Sequence, residues 1–170
     1  IPEEYGGYYA WGETEEKSDY SWETYKWCNG SYDSMTKYCT DRNYGRVDNK
    51  TVLDPEDDVA HVKWGGSWRM PTFKEQSELS SNKCTWQWTT LNGVNGYRIT
   101  GPNGNSIFLP ATGFRYDSSL YDDGNYGYYW SSTPDDEYNN FSWCFGFHSS
   151  YYGMSDNDSY SGQSIRPVLE

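Results

Sequence analysis

From Phe141 to His148 bulky and small or polar residues take turns: Trp143, Phe145 and Phe147 alternate with Cys144, Gly146 and His148. A period of two over so short a stretch predicts a strand with its aromatic face turned inward. Similar patterns recur in "TWQWT", "GYRIT", "SIFLPATG" and "YGYYWSS". Asn-Gly pairs at 92–93, 95–96 and 103–104 mark turns between such segments. The closing "SIRPV" reads as a last strand, whose proline suits a sheet edge. Two helices are predicted upstream. In "TVLDPEDDVAHVKWGG", Asp54 can cap, Pro55 suits the first turn, and Glu56, Asp57 and Asp58 favour the positive helix end. Val59 and Val62 form the inward side, and Gly65-Gly66 stop the helix. After "WRMP", Thr72 caps a second helix, with Glu75 at capping-box spacing and Leu79 pointing inward. The opening "YGGYYAWGETEEKSDYSWETYKW" has no helical period and reads as irregular strand and loop. Helices first, then short antiparallel strands with long polar excursions, give an α+β class in a single domain over 1–170.

Composition alone points the other way. Leu, Ile, Val and Phe number 22 of 170 residues, the net charge is -12 and the mean hydropathy is -1.00, a pairing typical of disorder. Nine Trp, 18 Tyr and 6 Phe supply the missing apolar area, because each buried aromatic removes roughly 150–250 Å² from water. The aromatics left over must lie near the surface, where Tyr and Trp are favoured contact residues. A pI of about 4.5 gives no footprint for a phosphate backbone, so nucleic acid is not an expected partner. No basic apolar stripe and no apolar run approaching about 18 residues occur, so neither surface binding nor direct insertion into a membrane is expected.

Catalytic patterns are weak. Glu13, Glu15 and Glu16, like Glu56, Asp57 and Asp58, read as solvated or helix-capping charges. His61 and His148 are isolated, and Cys144 lies too far along a strand from His148 for a nucleophile–base hydrogen bond. No nucleophile-elbow, zincin or phosphate-cradling motif is present. Cys28 and Cys39 enclose a polar loop, "NGSYDSMTKY", that a disulfide would close in an oxidising compartment. Without a C-x-x-C pair, structural zinc is not expected. Calcium is the one ion the composition leaves open, because "SDNDS" at 155–159 offers oxygen ligands, though without EF-hand spacing.

The segment 133–163 carries the functional signal. Apart from its inward rings it is chiefly Tyr, Ser, Asp, Asn and Gly, with one Glu and no Lys. A loop that only had to be soluble would favour Lys and Glu. Tyr with Ser, Gly and Asn is instead the mixture of antibody binding loops: broad contact with few rotors, plus adaptable hydrogen bonding. The candidate ligand-binding residues are Asp135, Asp136, Tyr138, Asn139, Asn140, Cys144, Gly146, His148, Tyr151, Gly153, Ser155, Asp156, Asp158, Tyr160 and Ser161. Two rivals compete. One is a carbohydrate-binding module stacking sugars on Trp86 or Trp88, whose period-two spacing also fits one face of an aromatic core. The other is a hydrolase, which needs two carboxylates within about 5–10 Å of each other in one cleft.

"GGYYAWGE", "WGGSWRMPT", "LPATGFR", "YYWSST" and "GQSIRPV" together, in order over nearly the whole chain, resemble the Fibrobacter-type major paralogous domain of surface proteins from gut anaerobes. Relatives of that domain include the C-type-lectin-like variable proteins of diversity-generating retroelements. The resemblance implies a C-type-lectin-like fold, with two helices beside small antiparallel sheets, long irregular loops and chain ends near each other. Gly65, Gly66, Trp68, Arg69, Pro71, Trp130, Ser131, Ser132, Ile165, Arg166 and Pro167 would be framework. It also implies secretion or surface display, with lipoprotein anchoring through a segment upstream of Ile1, and a protein or glycan ligand on another cell or host surface. In retroelement-linked members, adenines of Asn-type codons are randomised, which can yield Tyr, Ser, Asp, Gly, Cys, His or Phe but not Trp, Met, Lys, Gln or Glu. The outward candidates from Cys144 to Ser161 all belong to the permitted set, whereas Trp143, Met154 and Gln163 do not and would be fixed. On this reading Cys144 is an exposed thiol, one draw among many. The Glu-Pro-Asn and Trp-Asn-Asp motifs of calcium-dependent lectins are missing, as are the cysteines of the formylglycine-generating relatives. A partner for Cys84 would lie upstream.

Overall fold

A computed structural model describes the whole chain, Ile1–Glu170. Only 9% of it is helical, and the strands form several small antiparallel sheets. The first expected helix is broken in two: a 3-10 turn at Pro55–Asp57, then α1 at Val59–Trp64. The physical reason is Asp58, which takes an extended conformation and caps α1 itself, accepting from the amides of Ala60 (2.9 Å) and His61 (3.1 Å). Its carboxylate also accepts from Met70 N at 2.9 Å, tying α1 to the chain after it. Val59 is inward as expected, but Val62 is exposed. A short strand β1 (Trp68–Arg69) pairs with the last one, β10 (Val168–Leu169). The second helix, α2 (Phe73–Leu79), has the full capping box between Thr72 and Glu75. Glu75 further receives both Arg69 guanidinium nitrogens at 2.7 and 3.0 Å, which holds its carboxyl down at about 2.

Two three-stranded sheets follow. The first runs β2 (Thr85–Leu91), β3 (Val94–Thr100) and β4 (Ser106–Pro110). Its β2–β3 hairpin closes on Asn92-Gly93, both at positive φ (50° and 85°), as a two-residue turn between right-twisted strands requires. A small hairpin, β5 (Phe114–Tyr116) with β6 (Ser119–Tyr121), leads to the second sheet: β7 (Gly127–Pro134), β8 (Phe141–His148) and β9 (Tyr151–Asp158). The central strand β8 is paired along nearly all its length with β9 and with β7 from Gly127 to Trp130.

The core is aromatic, as the composition demands. Between the two sheets Phe145, Phe147, Tyr129, Tyr97, Ile99 and Leu109 pack together, with Trp86, Trp88 and Leu79 at the margin. Trp86 lies between Phe145 (5.1 Å, interplanar 16°) and Tyr152 (4.2 Å, 5°). On the other side of β7 and β8, Trp130 and Cys144 meet Trp11, Tyr38, Leu53, Val59 and Met70. The irregular N-terminal segment is held by side-chain pegs rather than by a ladder. Tyr8, Tyr20 and Tyr25 donate their hydroxyls to the carbonyls of Thr112 (2.6 Å), Tyr8 (2.7 Å) and Trp11 (2.7 Å). The indoles of Trp11 and Trp130 donate to Ser131 O and Tyr9 O, each at 2.8 Å. Buried carbonyls outside the sheets are satisfied in this way, and Tyr9 O also accepts from Gln163 N at 3.0 Å.

Candidate functional site

Strand β8 presents two different faces, and the difference comes from what its neighbours bring. Phe145 and Phe147 sit opposite Tyr129 and Gly127 on β7, and opposite Met154 and Tyr152 on β9. Gly127 is the neighbour that makes room: a Cβ there would collide with the Phe147 ring. Trp143 is half-buried at the end of this face, edge-on to Phe73 of α2 at 4.9 Å. The three rings therefore face inward as expected.

The opposite face is open over only part of its length. At one end the N-terminal segment covers it. Cys144, expected to be exposed, is fully buried beside Trp130 and accepts from Asn157 Nδ2 at 3.1 Å. Burial pushes its thiol up to about 12, so it is held as a neutral thiol. Ser142 is buried too, its hydroxyl 2.7 Å from that of Ser159. Beyond Cys144 the glycines Gly146 and Gly153 are still buried, His148 and Ser155 are half-buried, and the face opens fully at Tyr151. Gly146 lies opposite Tyr128 and Gly153, and His148 opposite Tyr151, with Ser155 and Asn157 continuing the row on β9. Tyr151 is 53% exposed.

An aromatic rim completes this corner. Tyr126 stacks on Tyr128 (6.2 Å, 3°) and meets His148 edge-on at 5.2 Å. Phe114 of β5 packs against Tyr128 at 5.5 Å and Tyr121 of β6 at 5.7 Å. A pocket of about 200 Å³ lies between Phe114, Tyr116, Tyr128, Asn157 and Tyr160. Sequence reasoning missed Phe114, Tyr116, Tyr121, Tyr126 and Tyr128. The signal available was the Tyr-x-Tyr spacing at 126 and 128, whose alternate members share a face with Gly146 and His148.

The structure thus brings together Gly146, His148, Tyr151, Gly153 and Ser155, and separates the other candidates from them. Asp135 and Asn139 are buried and build the turn before β8. Asp135 accepts from the amides of Glu137 and Tyr138. Asn139 accepts from Thr40 N (2.7 Å) and Asp41 N (2.9 Å) and donates to Thr40 Oγ1, joining that turn to the N-terminal segment. Asp136 and Tyr138 are exposed and Asn140 half-buried on the same turn. Asp156 and Asp158 fall on the alternate positions of β9, off the open row. Burial raises both carboxyls, and for Asp156 the neighbouring Asp135 adds to the shift. Tyr160 and Ser161 are buried in the turn after β9.

Two expectations about bonds are corrected. Cys28 and Cys39 are free, because their thiols turn to different carbonyls: Cys28 to Trp22 O (3.1 Å) and Cys39 to Asp41 O (3.2 Å). The "SDNDS" oxygens do not converge for calcium, since a strand sends Ser155 and Asn157 to one face and Asp156 to the other. No group of three or more His, Cys, Asp and Glu side chains is placed to hold a metal ion.

Compared with known proteins, residues 81–168 match a family model described as a domain of unknown function, DUF8237. The chain belongs to that family. The matched stretch holds both three-stranded sheets and the whole open face. No curated protein and no solved structure matches the chain.

Proposed function

We propose that this chain is a non-enzymatic ligand-binding domain, secreted or displayed at a cell surface, whose contact surface is the open corner of the β7–β8–β9 sheet. The observation that carries the reading is the composition of one face of β8 and β9. The row Ser142, Cys144, Gly146, His148, Tyr151, Gly153, Ser155 and Asn157 contains only types reachable from an adenine-randomised Asn codon, and the two residues that are not reachable, Trp143 and Met154, lie on the other face among reachable Phe, Tyr and Asp. A retroelement-diversified surface on a C-type-lectin-like framework would leave this pattern, as in the variable proteins that the motifs resemble. The framework is suited to it. At Gly146 an added Cβ would touch the Tyr128 ring at an ordinary 3.4 Å, so a larger side chain there requires that half-buried ring to move. At Gly153 only the movable end of Tyr151 stands in the way. Recognition would work through preorganised Tyr and His rings on a paired strand, which lose few rotamers on binding.

The tests are a library and a search. Randomising 146, 148, 151, 153, 155 and 157 with Asn-derived codons should leave most displayed clones folded, and selection on protein and glycan targets should yield binders. Randomising 143, 145 and 147 instead should abolish display. Equal loss of folding in both libraries overturns the reading. Downstream DNA should carry a near-copy of the segment encoding 133–168, differing opposite adenines, beside a reverse transcriptase gene; without such a copy, a fixed-specificity binding domain replaces the diversified one. Sugar stacking on Trp86 is disfavoured, because both faces of its indole are already covered by Phe145 and Tyr152.

A further inference from the structure

The pocket of about 200 Å³ beside Tyr128 is lined by a residue that the fold leaves unsatisfied. Gln163, the most deeply buried of its lining residues, is 1% exposed, and its Oε1 is sealed from solvent with no hydrogen-bond partner. Its backbone is fixed, because N–H and C=O are exchanged with Tyr9 at 3.0 and 2.9 Å. Its side-chain amide also serves the Cys144 thiol as a donor, so the oxygen is the end left over. A buried carbonyl oxygen without a donor is costly, and this one belongs to a residue at a cavity rather than in a filled interior.

Two further acceptors line the same pocket. Asn157 gives its Nδ2 to Cys144 Sγ at 3.1 Å, which leaves its Oδ1 for another donor. Asp158 is half-buried and takes part in no ion pair; burial raises its carboxyl, and only the Asn140 side chain opposes the shift. No Lys or Arg lines the pocket. Its walls are rings: Phe114 lies edge-on to Tyr128 at 5.5 Å, and Tyr116 is tilted against Tyr160 at 5.8 Å. Such rings pack the methylenes of a chain and attract a cation. Three acceptors on separate residues, one of them charged, match an ammonium, which turns three donors on a flexible stem; a guanidinium confines its donors to one plane. The size points to the source. Sites that enclose a whole small molecule run to roughly 300–1,000 Å³, and this pocket is smaller, so it suits the end of a side chain.

We propose that this pocket receives the ammonium end of a lysine side chain presented by a partner polypeptide. The inference rests on the reading of the chain as a binding domain and names the partner's chemistry at one edge of the same corner. A net charge of -12 would draw such a partner in. Gln163, a type that an adenine-randomised Asn codon does not yield, would be the constant acceptor, with Asn157 and Asp158 particular to this chain.

The experiment is an NMR titration of the intact chain with N-acetyl-lysine amide, followed at the side-chain amide signals of Gln163 and Asn157. Two derivatives separate the features that matter. The Nε-trimethyl compound keeps the charge without an N–H, and the Nε-acetyl compound keeps an N–H without the charge. The lysine compound should move both signals saturably, with half-saturation on the order of ten millimolar or below. Each derivative should bind at least about fivefold more weakly. Asp158→Asn should weaken the lysine compound about tenfold, and Gln163→Met, an apolar chain of similar length, about fivefold. Should Gln163→Met fail to fold, Asp158→Asn decides alone. Equal binding of either derivative, an unchanged titration in Asp158→Asn, or no response of the two signals overturns the proposal. N-acetylglucosamine moving both signals where the lysine compound does not overturns it as well. A silent titration beside a display library that yields binders removes the pocket and leaves the binding-domain reading standing, so the two failures are read separately.

Discussion

The two faces of one sheet differ less in amount of aromatic surface than in what each ring is attached to. On the covered face Phe145 and Phe147 are enclosed by rings from both sheets and by Trp86, and every neighbour constrains the next. On the open corner Tyr126, Tyr128, His148 and Tyr151 touch one another along one side and water along the other. The same residue class therefore serves stability where it is surrounded and, under the function proposed above, contact where it is not. The comparison teaches that composition cannot tell which tyrosines of such a chain build the core; pairing register and cover do. The partner on β8 fixes which face a residue of β9 takes, and the cover over that face then decides its burial: Tyr152 stays exposed opposite buried Phe147.

The most direct way to break that comparison is to truncate one ring on each face. Phe145→Ala removes a ring that is 1% exposed and leaves Trp86 half unsupported, so unfolding free energy should fall by about 3–5 kcal/mol. Tyr151→Ala should stay within about 0.5 kcal/mol of the parent. Urea denaturation followed by tryptophan fluorescence measures both. Similar losses at the two positions would mean that the open corner is part of the core.

A second comparison sets the sheet against the N-terminal segment, whose buried aromatic residues are held without a ladder. If side-chain pegs hold it, removing one N–H with little loss of ring should cost more than a surface change. Trp11→Phe leaves the buried carbonyl of Ser131 without its donor, and stability should drop by about 1–3 kcal/mol. Trp64→Phe, at an exposed position with no hydrogen bond, should change it by less than about 0.5 kcal/mol. Equal effects would show that ring volume, not the peg, fastens this segment.

These pegs also explain how much of the molecule was legible in the sequence. Alternation marked β2 and β8, Asn92-Gly93 marked the β2–β3 turn, and Thr72 with Glu75 marked the start of α2, because each signal is local and its partner is a few residues away. The burial of Cys144 was illegible, since its cover comes from Trp11 and Tyr38, over 100 residues earlier and without any period. Asn139 was misread for the same reason: a polar residue on a loop looks free until Thr40 and Asp41 are placed against it. The broken first helix turned on which of four neighbouring acids caps it, and only the contact with Met70 singles out Asp58. The aromatic rim from β5 and β6 was hidden because three-residue strands carry too little pattern to be read.

The smallest effect concerns the acidic end of the covered side of the sheet, where Asp156 and Asp158 lie. Asp156 sits beside Asp135, and burial together with that neighbour raises its carboxyl above the ordinary range. Between the unfolded value, about 3.9, and the raised folded value, the native chain binds more protons than the unfolded one. Stability therefore falls as pH rises through that window and stays lower above it. Asp156→Asn removes the repulsion and should stabilise the protein at pH 7 by about 0.5–1 kcal/mol. That advantage should shrink as the pH falls toward about 4, where the parent's own carboxyl takes up its proton. Glu75 must be kept apart from this measurement, since its carboxyl is held at about 2 by Arg69, and its contribution is lost in the opposite sense, as pH falls from about 4.3 toward 2. Comparing parent and variant by thermal melts from pH 7 down to about 4.5 keeps Glu75 ionised throughout. A variant no more stable than the parent at pH 7 would place Asp156 among solvated groups and extend the open, tolerant surface around the end of β9 onto the side now assigned to the core.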